Sequence, residues 1–287
     1  MKIEWYPGHI AKARREIKEH IKEVDLVIEI VDARCVMSSI NFLNEEIKNK
    51  KRLIIVNKID LADENELKKI NKEKIKKSIL GFDGEVLLLD SRDNTIKRDV
   101  DKKIDILTED ILEKNRNKGI KNTVLKSMVV GMPNVGKSTF INSYVRKKVN
   151  KVENTPGVTK SLQWAKISDK MLLLDTPGVT VKKFENNDVG LNLALVGSIN
   201  DDILEKQDLA YEFLQKVYKK YYKLFIKRYK LDNLDENSSP INVMDEIAKK
   251  NICYKKNGNI NYDKVANIII NDFRKGAIGR ISLEFDL

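Results

Sequence analysis

Apolar positions along this chain follow two different patterns. Short, mostly apolar runs occupy residues 26–31, 53–56, 86–89 and 171–174, each ending in a polar cluster, and 127–130, leading into a Gly-containing loop. Runs of that length without alternation suit strands covered on both faces, as in a parallel sheet. Before the first run, Ile10, Ala13, Ile17, Ile21 and Val24 recur at spacings of three and four, the period of an amphipathic helix. The charged, weakly periodic stretch 96–126 reads as a helix followed by a connection. Strands alternating with helices predict an α/β domain with a mostly parallel sheet and helices on both faces. After Gly178 the strand signal fades. Helices are expected near 188–199, 207–229, 241–251 and 262–274, with Asn237-Ser238-Ser239-Pro240 as a break and a short apolar tail after Gly279. A length of 287 residues suits two domains, expected at 1–179 (α/β) and 180–287 (all-helical).

The fourth apolar run leads into Gly131-Met132-Pro133-Asn134-Val135-Gly136-Lys137-Ser138, which fits the Walker A pattern where a strand turns into a helix. Backbone N–H groups from Asn134 through Val135, Gly136, Lys137, Ser138 and Thr139 would wrap phosphate oxygens. Lys137 would bridge the terminal phosphates and the Ser138 hydroxyl would ligate Mg²⁺. Asp175-Thr176-Pro177-Gly178 closes another buried run. There the Asp175 carboxylate would hold Mg²⁺ through water and the Gly178 N–H would sense a γ-phosphate. Thr159 is the candidate for a second hydroxyl on Mg²⁺, with Thr155 as its rival.

Asn57-Lys58-Ile59-Asp60 follows the second run. Asp60 can accept from both N1–H and the 2-amino group of guanine, a donor pair adenine lacks, which disfavours an ATP-using enzyme. Lys58 would lay its stem over the base, Asn57 would brace the loop, and backbone groups at Asp90-Ser91 would close over the guanine oxygen. In most GTPases the phosphate loop comes first; here the guanine-reading loop precedes it. With every part still at a strand end, the order predicts a circularly permuted P-loop GTPase domain binding GTP and GDP, followed by the helical part.

The net charge is +11, from 54 basic and 43 acidic residues, and this suits a phosphate-rich partner, although Lys- and Asn-rich usage along the whole chain could also reflect base composition. Placement sharpens the choice. On the helix near 207–229, Lys216, Lys219, Lys220, Lys223, Lys227 and Lys230 fall within an arc of about 100°, opposite Leu214, Val217, Tyr218, Tyr221, Leu224, Phe225 and Tyr229. RNA phosphate contact is the expected role of the lysines, and core packing that of the tyrosines. Cys35 and Cys253 form no metal or disulfide pattern. No apolar run is long enough to span a membrane, and the start of the chain carries no signal-peptide pattern. A cytoplasmic, monomeric protein is expected.

The motif order, the opening Trp5-Tyr6-Pro7-Gly8-His9-Ile10-Ala11-Lys12-Ala13, the element Val31-Asp32-Ala33-Arg34 and Gly131–Ser138 together resemble the ribosome biogenesis GTPase A family, over essentially the whole chain. The Cys35-Val36 pair departs from the family's usual apolar residue and Pro. The resemblance implies a GTPase acting in late assembly of the large ribosomal subunit, with ribosomal proteins and rRNA as partners and the C-terminal domain on rRNA. Val179 stands where many GTPases carry a water-orienting Gln, so turnover alone should be slow and stimulated by the subunit. The resemblance gives the water-positioning role to His9. Asn134 resembles the Asn that helps related GTPases bind K⁺ near the phosphates. Two other readings stay open: a GTP-dependent scaffold with negligible turnover, and a permuted GTPase of the small subunit, against which the absence of a zinc module counts.

Overall fold

The computed structural model of the chain describes residues 15, 17–40, 47, 49–70, 73–75, 79, 82–93, 95–120, 122–145, 164–168, 170–175 and 186–285. Among these, six strands build one sheet: β1 (Leu26–Asp32), β2 (Lys51–Asn57), β3 (Gly84–Leu88), β4 (Leu125–Gly131), β5 (Trp164–Ser168) and β6 (Met171–Asp175). Their order is β3-β2-β1-β4-β6-β5. All neighbours are parallel except β5, which runs antiparallel to β6 at the edge. All of β1 is buried, and all of β2 after Lys51, which explains their mostly apolar sequences, and the charged pair Glu29 and Arg52 within them bond each other. The apolar-run reading misses β5, because Trp164-Ala165-Lys166-Ile167-Ser168 sits at an edge with Lys166 and Ser168 exposed.

The described helices are α1 (Val36–Ser39), α2 (Glu64–Lys69), α3 (Ile96–Asn117), α4 (Lys137–Val145), α5 (Asn187–Leu195), α6 (Lys206–Tyr229), α7 (Pro240–Lys250) and α8 (Tyr262–Lys275). The expected helix-plus-connection at 96–126 is α3 and the turn into β4, with Ile96, Val100, Ile104 and Leu107 buried. In the helical part the local sequence sets each boundary. Asn186, Ser239 and Asn261 cap α5, α7 and α8 by accepting backbone N–H bonds, and Pro240 opens α7. The helix expected at 188–199 ends at Leu195, because Gly197 takes φ +79° and Ser198 N–H turns back to the Leu193 carbonyl.

The helical part shares a core with the sheet. One apolar cluster runs from Ile28 and Val129 through Phe140 and Leu193 to Phe213, Phe225 and Phe273, with Phe213 and Phe273 rings 4.6 Å apart. Tyr218, Tyr221 and Tyr229 are buried in it, as expected. The expected domain boundary at 179 lies outside the described residues. Among the described residues no helix is long and apolar enough to cross a membrane.

Candidate nucleotide-binding site

Parallel register brings motifs that are far apart in sequence to one edge of the sheet. Asp32 at the end of β1 lies beside Asn57 at the end of β2, and Ile30 lies beside Gly131 at the end of β4. The chain moves outward from β1 through β2 to β3, then returns to β4 and goes the other way. That reversal opens a crevice at the carboxyl ends of β1 and β4, the place where open α/β sheets bind ligands.

The phosphate loop occupies this crevice. Gly131 and Gly136 have φ +155° and +100°. A Cβ at Gly136 would lie 2.3 Å from Asn57 Nδ2, and one at Gly131 would lie 2.5 Å from the Ile30 carbonyl oxygen, so both positions need glycine. Helix α4 starts at Lys137, which places the N–H groups of a helix's first turn at the loop. Lys137 is buried, and its Nζ donates to the carbonyls of Gly131 (3.1 Å) and Met132 (2.8 Å). Ser138 and Thr139 are exposed, while Val135 is buried beneath the loop. This donor set fits a nucleotide's phosphates.

Asn57 braces the site from its centre. Its buried side-chain amide donates to the Val135 carbonyl (2.8 Å) and accepts from Ser91 N–H (2.9 Å), joining the phosphate loop to the 90–91 segment. Lys58, at φ +61°, donates to the Asn134 carbonyl (2.5 Å) and to Asp32 Oδ2 (3.0 Å). Asp32 in turn holds a bidentate bridge with Arg34, at 2.9 and 2.8 Å, and both are fully buried. Burial pushes the Asp32 carboxyl up, but Arg34 and then Lys58 outweigh it and hold it far below the usual carboxylate range. Asp60 and Asp90 converge on Arg92: Nη2 lies 2.6 Å from Oδ2 of each. Hydrogen bonds from Arg92 keep the Asp90 carboxyl low.

The helical part touches the same loops. Asn134 Nδ2 donates to the Gly197 carbonyl (2.6 Å) and Ser198 Oγ to the Pro133 carbonyl (2.8 Å). Arg34 lies 4.9 Å from the Phe273 ring centroid. Arg274 donates to the last carbonyls of α5 at Ala194 (2.8 Å) and Leu195 (3.0 Å) and pairs with Asp201, which it holds at a lowered pKa.

The lysine row on α6 is less uniform than ideal helical spacing implies, since Tyr221 breaks the helical dihedrals at φ −114°, ψ 16°. Lys216 pairs with Asp188 (2.7 Å) and Lys220 with the buried Glu66 (2.6 Å), so these two hold the fold together. Lys219, Lys223, Lys227 and Lys230 are exposed. His9, Thr155, Thr159, Gly178 and Val179 lie outside the described residues. Of Asp175 the structure gives only the backbone, paired beside Val129 of β4. Sequence reasoning missed the roles of Asp32, Arg34, Arg92 and Ser198. A charged Asp-x-Arg closing an apolar strand was the available signal for the first two; Arg92 and Ser198 carried none.

A family model described as 50S ribosome-binding GTPase matches residues 126–249, beginning at the phosphate-loop strand. Ribosome biogenesis GTPase A of Bacillus licheniformis is 40% identical over 285 residues, 99% of this chain and 98% of that protein. Mitochondrial ribosome-associated GTPase 1 of Ictalurus punctatus is 32% identical, covering 98% of this chain and 92% of its own. The solved structure of GNP-bound YlqF from T. maritima superposes with a TM-score of 0.60 at 25% identity, covering 95% of this chain and 97% of that one. Sharing 40% of its residues with the Bacillus licheniformis protein along essentially its whole length, and carrying the Asn57–Asp60 loop ahead of the phosphate loop on one sheet, the chain belongs to the ribosome biogenesis GTPase A family of GTP-hydrolysing enzymes.

Proposed function

We propose that this GTPase binds the precursor of the large ribosomal subunit in one nucleotide state, promotes its late maturation, and leaves after hydrolysis. The observation that carries this reading is the direct bonding of the phosphate loop to the helical part, through Asn134 to Gly197 and Ser198 to Pro133. A nucleotide seated on that loop has a short physical route to a helix, α6, that carries exposed Lys219, Lys223 and Lys227, with exposed Lys230 just past its end. The match to a 50S ribosome-binding GTPase spans both the loop and that helix, which supports the choice of subunit.

Within this reading Asp60 takes the guanine edge, Lys58 flanks the base, and the Asp90-Ser91 segment, tied to Asn57, closes over the guanine oxygen. Asn134, Val135, Gly136, Lys137, Ser138 and Thr139 cradle the phosphates. Mg²⁺, held by Ser138, Asp175 and Thr159, would neutralise phosphate charge, and K⁺ at Asn134 would add to it. Gly178 senses the γ-phosphate, and His9 positions the attacking water in place of the glutamine that Val179 replaces. Lys219, Lys223, Lys227 and Lys230 neutralise rRNA phosphates. The test is sedimentation of the protein with large-subunit precursors in the presence of a non-hydrolysable GTP analogue or GDP. Tighter association with the analogue is expected; equal association in both states removes the switch, because a ligand without differential affinity shifts nothing.

A further inference from the structure

The end of the chain lies along the guanine-reading loop. Beyond α8, Ile281 N–H donates to the Leu61 carbonyl (3.0 Å) and Leu283 N–H to the Arg34 carbonyl (2.7 Å). Ser282 Oγ accepts from Asp63 N–H (3.2 Å), and Arg280 Nε donates to the Asp60 carbonyl (3.1 Å). Farther on, the Glu284 carboxylate accepts from Met37 N–H (2.9 Å), Ser38 N–H (2.7 Å) and the Ser38 hydroxyl (2.6 Å), which anchors the tail. Ile281, Ser282 and Leu283 are buried.

Tyr221 joins this contact from α6. Its hydroxyl donates to the Asp63 carboxylate (2.9 Å) and accepts from Ser282 N–H (3.3 Å), and it sits at the break in the helix. The loop itself is a turn with Leu61 N–H on the Lys58 carbonyl, so much of its placement comes from these outside partners. A carboxylate that must meet two donors on one base edge discriminates only if it is held to within about 0.5 Å.

We infer that Tyr221 and the tail residues Arg280 and Ser282 are positioning residues for guanine recognition, holding the 60–63 turn so that Asp60 meets the 2-amino edge of the base. The inference rests on Asp60 as the base-reading carboxylate. None of these bonds reaches the phosphate loop, so the effect belongs to base selectivity and nucleotide affinity, with turnover at saturating nucleotide left alone.

The experiment uses the full chain and compares GTP with inosine triphosphate, which lacks the 2-amino group. Tyr221→Phe keeps the ring and removes the hydroxyl, Ser282→Ala removes the acceptor, and Arg280→Ala acts at a half-exposed side chain where unfolding is not an issue. Each should lower the preference for GTP over inosine triphosphate by about threefold to tenfold, the scale of one hydrogen bond, with kcat unchanged. A loss of melting temperature with the preference intact would overturn the inference and leave these residues a structural role only. Asp60→Asn is measured alongside. If it loses the preference while the three variants keep it, the positioning role falls and base reading stands; if it too keeps the preference, both fall.

Discussion

Replacing Asn57 with Ala should damage both stability and nucleotide affinity, because one buried side chain serves two loops. The amide donates to the Val135 carbonyl at 2.8 Å and accepts from Ser91 N–H at 2.9 Å, and the residue is 2% exposed. Alanine leaves both backbone groups unpaired, each at a cost of about 1–3 kcal/mol, so a loss of about 2–6 kcal/mol is expected. The phosphate loop and the 90–91 segment then lose their common brace, and GDP affinity should fall by about tenfold or more. Asn57→Asp separates the two bonds. It keeps an acceptor for Ser91 N–H but sets a carboxylate against the Val135 carbonyl, so it should be no better than alanine. Urea unfolding gives the stability change from the midpoint at constant slope, and titration of a fluorescent GDP analogue gives the affinity. A stability change within about 0.5 kcal/mol, together with unchanged GDP affinity, would refute the bracing role.

Asp60→Asn exchanges an acceptor pair for mismatched donors and should cost about 2–4 kcal/mol of GTP binding while improving xanthosine triphosphate; titration of both nucleotides checks it. His9→Ala should lower subunit-stimulated kcat by roughly 10²-fold with nucleotide affinity unchanged; an unchanged stimulated rate in the folded variant would make His9 structural. Replacing Lys219, Lys223, Lys227 and Lys230 together with Gln should reduce the salt slope of precursor binding by about 3, at 0.7–0.9 per phosphate contact. Lys216 and Lys220 are left in place because they pair with Asp188 and Glu66. Acid should destabilise the fold. Asp32, Asp90 and Asp201 have folded pKa values below their unfolded ones, so their stabilisation is complete above about pH 5 and is lost as pH falls toward their folded values. Burial pushes the Glu284 carboxyl up, which works in the opposite direction. Melting temperature from pH 7 to pH 3 should fall, with a smaller slope in Asp32→Asn.

Strands β1, β2, β4 and β6 were legible in the amino-acid sequence because neighbours on both sides leave little polar alternation, and the edge strand β3 because Val86, Leu87 and Leu88 form an apolar run. The helices after Gly178 were legible because helix patterning and the break at Asn237-Ser238-Ser239-Pro240 are local, and three of them carry local caps at Asn186, Ser239 and Asn261. The phosphate loop was legible for a similar reason: Gly131 and Gly136 answer backbone requirements written over a few residues. Tertiary structure alone decided which distant groups meet. Pairing Asp32 beside Asn57 across β1 and β2 puts Lys58 on a buried carboxylate. Folding residues 280–283 against the 60–63 turn ties an apolar tail to the loop that follows β2. Docking α6 on Glu66 and Asp188 takes Lys220 and Lys216 out of a row that helical spacing makes continuous. The edge strand β5 was hidden because exposed Lys166 and Ser168 interrupt its apolar positions. Local motifs state what a few residues require of their own backbone; long-range ion pairs and hydrogen bonds depend on strand order and docking, and those follow from packing the whole chain around one core.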